Sequence, residues 1–135
     1  MSTPIQDRRL FKWLMAKDKD LGERALRVRA ELTKWLPQIV QMFPHYPSHG
    51  VDHSDRIVTQ LSKMLSKGNT LSASFSPVEV YCLLCAAYLH DMGMVVSPGD
   101  AAAILASDPW KTFVADGGKG HESYEKYLSL RNGPA

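Results

Sequence analysis

Apolar residues recur along this chain at three- and four-residue intervals from one end to the other. No stretch alternates apolar with polar in the Val-, Ile- and Thr-rich manner of a half-buried strand. The pattern predicts an all-α fold: a helical bundle of about six to seven helices with no sheet. A first helix is expected over residues 4–17, where Ile5, Leu10, Trp13 and Leu14 form an apolar side. A second covers residues 21–42 through Leu26, Val28, Leu32, Leu36, Ile39 and Val40, kinked or split by Pro37. Residues 43–50 hold two prolines and a glycine and read as an ordered loop. A third helix follows over residues 52–66 with Ile57, Leu61, Met64 and Leu65 inward, and residues 67–75 form a surface connection.

Ser76, Pro77 and Glu79 are the clearest helix start in the chain. The serine caps, the proline fits the first turn and the glutamate returns a bond to the cap. The helix they open, residues 78–89, is apolar almost all round, as in a central helix surrounded by others. Gly93 is expected to stop or bend it. Ser97-Pro98 and Asp108-Pro109 mark two more starts, and a last helix runs over residues 120–130. There is no internal repeat, low-complexity tract or linker, so residues 1–135 read as one domain.

Composition narrows the class. The chain has 135 residues, 44% of them hydrophobic, enough for one modest core. Sixteen basic against 14 acidic side chains leave a formal charge of +2, which gives no support for general nucleic-acid binding. No secretory signal or stretch of membrane-spanning length is visible, which points to a soluble, cytoplasmic protein. Cys82 and Cys85 stand in an apolar run without a second pair, so they are expected to pack in the core rather than bind zinc or cycle redox states.

The chemistry concentrates where the apolar helix ends, at His90-Asp91. Ionisable groups in such surroundings need compensation, and a divalent cation supplies it, because neutral imidazole and ionised carboxylate are both good ligands. Adjacent helical residues point about 100° apart, so a shared ion must lie at the loosened helix end. Upstream, His49 and His53 flank the start of another helix beside Arg56, from which a loop can reach across.

His49-Gly-Val-Asp-His53-Ser-Asp-Arg56, followed by Tyr88-Leu-His90-Asp91-Met-Gly93, resembles the signature of the HD superfamily of metal-dependent phosphohydrolases over about residues 43–128. The resemblance implies that His53, His90 and Asp91 are metal ligands, with manganese, iron, magnesium, zinc or nickel as the ion. It implies further that Asp91, His49 and His121 act in catalysis, and that Arg56, Lys119 and His121 contact the substrate, a small phosphate ester such as a nucleotide. His121 enters through Gly120-His121-Glu-Ser-Tyr-Glu125, which is similar to a downstream histidine-glutamate helix start in that superfamily. Gly117, Gly118 and Gly120 beside it can open backbone N–H groups to an anion.

Two departures stand out. Most members close the metal shell with a later aspartate, whereas Asp100, Asp108 and Asp116 here sit where cap or turn duty is expected. The chain is therefore expected to be C-terminally incomplete, with an additional C-terminal domain or a homodimer as partner. Met94 replaces the lysine of several cyclic-dinucleotide phosphodiesterases, which argues against that branch. The rival readings are a non-catalytic nucleotide-sensing HD-like module, a zinc hydrolase built on a His49/His53 pair, and a helical interaction domain presenting Trp13 and Trp35. The zinc-hydrolase reading lacks its base, because Gly50 follows His49 where a glutamate would stand.

Overall fold

The structure is a computed structural model that describes residues 4–44, 49–68, 70–71 and 75–133. It is all-α, as the periodicity predicts. The described residues fall into two compact units that divide between Val95 and Val96.

In the first unit a 3-10 turn at Ile5–Asp7 leads into α1 (Arg9–Lys17). Asp18 caps α2 (Lys19–Trp35) by accepting from the Leu21 N–H at 3.1 Å. Pro37 splits the expected long helix: Leu36 is the hinge, and α3 (Pro37–Met42) starts with the proline in its first turn. Residues 45–48, the middle of the expected loop, lie outside the described residues. Next come α4 (Val51–Leu65), a two-residue ribbon of β1 (Ser66–Lys67) and β2 (Thr70–Leu71), and α5 (Pro77–Leu89). The ribbon turns at Gly68, whose φ of 66° is a conformation that glycine adopts freely.

Helices α1, α2, α4 and α5 pack on one another around a core of Leu10, Phe11, Leu14, Leu32, Val58, Val80, Leu84 and Tyr88. Burying each large aliphatic or aromatic side chain there is worth about 1.5–3 kcal/mol relative to exposure. Two expectations about this core need correction. In α4 the buried positions are Ser54, Asp55, Val58 and Ser62, while Ile57 and Leu61 are half-buried and Met64 is 78% exposed. Polar residues occupy much of the inward stripe, Asp55 bonded by Arg29 and Tyr88 and Ser62 by the Val58 carbonyl, so counting apolar residues put its centre in the wrong place. Helix α5 is not surrounded: Val80, Leu84, Ala87 and Tyr88 are buried, but Val78, Cys82, Ala86 and Leu89 are exposed. Cys82 is therefore a surface thiol and Cys85 a half-buried one, both free. Trp13 packs against the core, whereas Trp35 is exposed.

The second unit holds α6 (Pro98–Ala106), α7 (Asp108–Val114) and α8 (His121–Asn132). Ser97 caps α6, and Ser107 rather than Asp108 caps α7. Its described hydrophobic side chains are all at least partly exposed. Trp110 packs edge-on to Tyr124 with ring centroids 5.5 Å apart and tilts over Phe113 at 5.9 Å. Among the described residues, no single helix is long and apolar enough to cross a membrane.

Candidate metal centre

The site is built at the end of α5. Ser76 and Glu79 form the expected reciprocal capping box at its start. At the other end His90 closes the helix, its N–H bonded to the Ala86 carbonyl at 3.1 Å. Asp91 then leaves the helical path at φ −95°, ψ 0°. Gly93 plays no part in this stop. It lies beyond the break in a 3-10 turn (Met92–Met94), at negative φ and with open space where a Cβ would stand. The turn at Asp91 resolves the divergence of adjacent helical side chains, and His90 Nε2 comes within 3.1 Å of Asp91 Oδ2.

The second pair comes from the start of α4. Gly50 is its N-cap and His53 lies in its first turn, with the His53 N–H bonded to the Gly50 carbonyl at 3.0 Å. His49 precedes the helix, so His49 and His53 are not a pair on one helical face, as the zinc-hydrolase rival requires. Instead His49 Nδ1 lies 2.8 Å from the same Asp91 Oδ2. The His53 ring stands between the other two imidazoles, 5.8 Å from His49 and 5.5 Å from His90 between centroids. Donor atoms of His49, His53 and Asp91 all fall within 4.8 Å of one another. The side chains of His49 and Asp91 are mostly buried, at 18% and 14% exposure, while that of His90 is 37% exposed and opens the cluster to water.

This arrangement suits a cation. His90 Nδ1 is 2.8 Å from the Ala87 carbonyl, which can only accept, so the proton of a neutral ring sits on Nδ1 and Nε2 is a bare acceptor. That acceptor faces a carboxylate oxygen at 3.1 Å, a contact that repels unless positive charge lies between them. A backbone carbonyl fixing the tautomer of an imidazole from behind is the usual support for a metal-binding histidine. The nitrogen and oxygen donors match borderline divalent ions.

Behind the cluster lies a polar lock that the sequence reading did not single out. Arg29 of α2 forks onto both oxygens of Asp55, at 2.9 and 2.7 Å, and the Tyr88 hydroxyl donates to Asp55 Oδ1 at 2.6 Å. Asp55 and Tyr88 are 5% and 1% exposed. Burial pushes the Asp55 carboxyl up, but the bonds from Arg29 and Tyr88 outweigh it and hold the group below its usual value. The same bonds raise the Arg29 guanidinium, and burial with the Asp55 carboxylate raises the Tyr88 phenol. Asp55 lies two residues after His53 on α4, and Tyr88 lies two residues before His90 on α5. The lock therefore ties together the helices that present the two histidines.

The remaining expected residues divide. Arg56, exposed on α4, lines a groove with Arg8 and Arg9 that does not include the cluster. His121 and Lys119 belong to the second unit. His121 opens α8 with Nδ1 2.9 Å from the Val114 carbonyl, and Lys119 is exposed in the preceding turn. The expectation that glycines here free their N–H groups for an anion fails on hydrogen bonding at Gly118 and Gly120. The Gly118 N–H bonds Ala115, Gly120 bonds Phe113 and His121 bonds Gly118. Gly118 and Gly120 serve packing instead, because Cβ atoms there would collide with residues 112–115, while Gly117 serves the turn through its φ of 78°. Asp100 takes the cap role expected of it, accepting from the Ser97 hydroxyl at 2.7 Å. Asp108 sits in the first turn of α7, and Asp116 in a turn, 4.0 Å from His121 Nε2.

An all-helical unit in which histidines from the start of one helix meet a His-Asp pair at the end of another is an HD-type domain. A family model described as HD-CE matches residues 43–133, well over half the chain, and this protein belongs to that family. Comparison with curated proteins and with solved structures gives no significant match.

Proposed function

We propose that this protein is a metal-dependent phosphohydrolase whose centre is His49, His53, His90 and Asp91, acting on a small phosphate ester such as a nucleotide. The observation that carries the reading is the crowding of Asp91 Oδ2, which lies 2.8 Å from His49 Nδ1 and 3.1 Å from His90 Nε2. A divalent ion held there supplies Lewis acidity toward phosphoryl oxygens and lowers the pKa of water enough to provide a nucleophile near neutral pH. Asp91 would offset part of the ion's charge, and its Oδ2 already meets two of the imidazoles, His49 and His90. His90, held from behind by Ala87, presents Nε2 to the cluster. His53, carried on the first turn of α4, closes the donor set from the other side. His49, its Nδ1 on Asp91, adds a donor from the segment before α4. The exposed edge of His90 leaves a path by which a phosphate group reaches these atoms.

A phosphate-release screen tests the proposal, using nucleotides and an aryl phosphate with manganese, magnesium, iron, zinc or nickel. The expected result is metal-dependent turnover that falls roughly 100- to 1,000-fold in Asp91→Asn. Tight nucleotide binding without phosphate release under any of these metals would instead establish a sensing module.

A further inference from the structure

Away from the metal centre, the first unit carries a concentration of positive charge that the proposed hydrolysis does not use. Arg8 and Arg9 at the start of α1 and Arg56 and Lys63 on α4 line a single open groove of about 540 Å³, and among the described residues none of its lining side chains is acidic. A run of charge along one helix is ordinarily a solvated face. Here the cations come from two segments nearly fifty residues apart and converge on a concave surface. The chain's formal charge is only +2, so four of its 16 basic side chains facing one groove is a local excess, not the outcome of a basic composition.

The groove is also electrostatically incomplete. The first turn of α1 carries no acidic residue, and no side chain bonds at its N-cap, which is Arg8 itself. Two arginines thus sit at the positive end of a helix dipole, where anions are favoured and cations are not. Arg8 is anchored by long contacts, 3.4 Å each, to the Asp55 carbonyl and the Thr59 hydroxyl of α4. A guanidinium has five N–H donors, so these contacts leave Arg8 further donors for a ligand.

We propose that this groove binds a small ligand bearing several adjacent phosphates, such as a nucleoside triphosphate, at a site separate from the metal centre. Clustered guanidinium and ammonium groups match closely spaced phosphoryl oxygens through charge-assisted hydrogen bonds. The volume is that of a small-molecule pocket. Among the described residues no aromatic side chain lines it to stack unpaired bases, which favours a small polyphosphate over a nucleic-acid strand. Through Arg8 the ligand would touch the residue pair, Asp55 and Thr59, on the helix that carries His53.

Calorimetric titration of the full chain with inorganic tripolyphosphate in EDTA tests this independently of any bound metal. Saturable one-to-one binding is expected, weakened about tenfold in Arg56→Gln and in Lys63→Gln, whose exposed side chains leave the fold intact, and unchanged in His53→Ala. Metal-free ATP is expected to bind at least as well as tripolyphosphate. Absence of binding, indifference to Arg56→Gln and Lys63→Gln, or equal loss in His53→Ala would overturn the proposal. So would tighter binding of a twelve-nucleotide single strand, which would make the groove a nucleic-acid surface.

Discussion

The Tyr88 hydroxyl donates to Asp55 Oδ1 at 2.6 Å, in a site where both residues are almost wholly buried. With Arg29 completing the carboxylate, the contact joins α2, α4 and α5. Removing Tyr88's hydroxyl takes one of two donors from Asp55 Oδ1 and leaves the carboxylate to Arg29 alone, so Tyr88→Phe is expected to destabilise the first unit by about 1.5–3 kcal/mol. Asp55→Ala strands the Arg29 cation beside a cavity and is expected to lose about 3–5 kcal/mol. Urea unfolding of the two variants checks the order, and equal stability of Asp55→Ala and the parent chain would remove the lock from the account.

The capping box of α5 should respond to acid. The Ser76 N–H, bonded to Glu79 at 2.7 Å, and then the Ser76 hydroxyl hold the Glu79 carboxyl below its ordinary value. The bond is therefore fully present above the unfolded-state value of about 4.3 and is lost as pH falls through the lower folded value. Protection of the amides at residues 76–80, taken relative to their intrinsic exchange rates, should fall across that acid range in the parent chain. In Glu79→Gln it should not change there, and an identical pH response in that variant would sever the link to Glu79.

Glycines before α8 divide by what surrounds them. A Cβ on Gly118 would meet the carbonyl oxygens of Thr112 and Phe113 at 2.5 Å, which are fixed backbone, while one on Gly120 would strike the Phe113 ring, which can swing aside. Gly118→Ala is expected to destabilise the second unit by about 1–3 kcal/mol, and Gly120→Ala by less. Hydrogen exchange in α8 measures both, with the reverse order as the contrary result.

Cys82 lies on the open side of α5 and Cys85 is half-buried. A thiol reagent applied to the folded chain should label Cys82 first. Equal rates at the two positions would show that the exposed stripe of α5 is covered in solution.

Much of this was legible in the sequence, because helix starts leave local chemical marks. Ser76-Pro77-Glu79 placed α5 within a residue, Pro37 marked the break between α2 and α3, and Ser97-Pro98 marked α6. The His90-Asp91 pair drew attention because ionisable groups ended an apolar helix, and the structure brings His53 beside it. What escaped was whatever depends on partners distant in sequence. Asp55 and Arg29 look like surface charges until Tyr88 and α2 are folded against them, and the inward stripe of α4 is polar, so hydrophobic periodicity misplaced it. Arg8 and Arg9 gave no signal, because their groove exists only once α1 and α4 pack. The glycines before α8 misled for a similar reason, since a glycine tolerated for packing and one tolerated for anion access read alike.

If three imidazoles and one carboxylate hold a cation, elemental analysis after equilibration with each divalent metal and removal of the excess will find it. Close to stoichiometric retention of at least one ion is expected for the parent chain, with loss of it in Asp91→Ala and in His53→Ala and helical content unchanged by circular dichroism. Full retention in both variants, or no retention of any metal by the parent chain, would contradict that assignment.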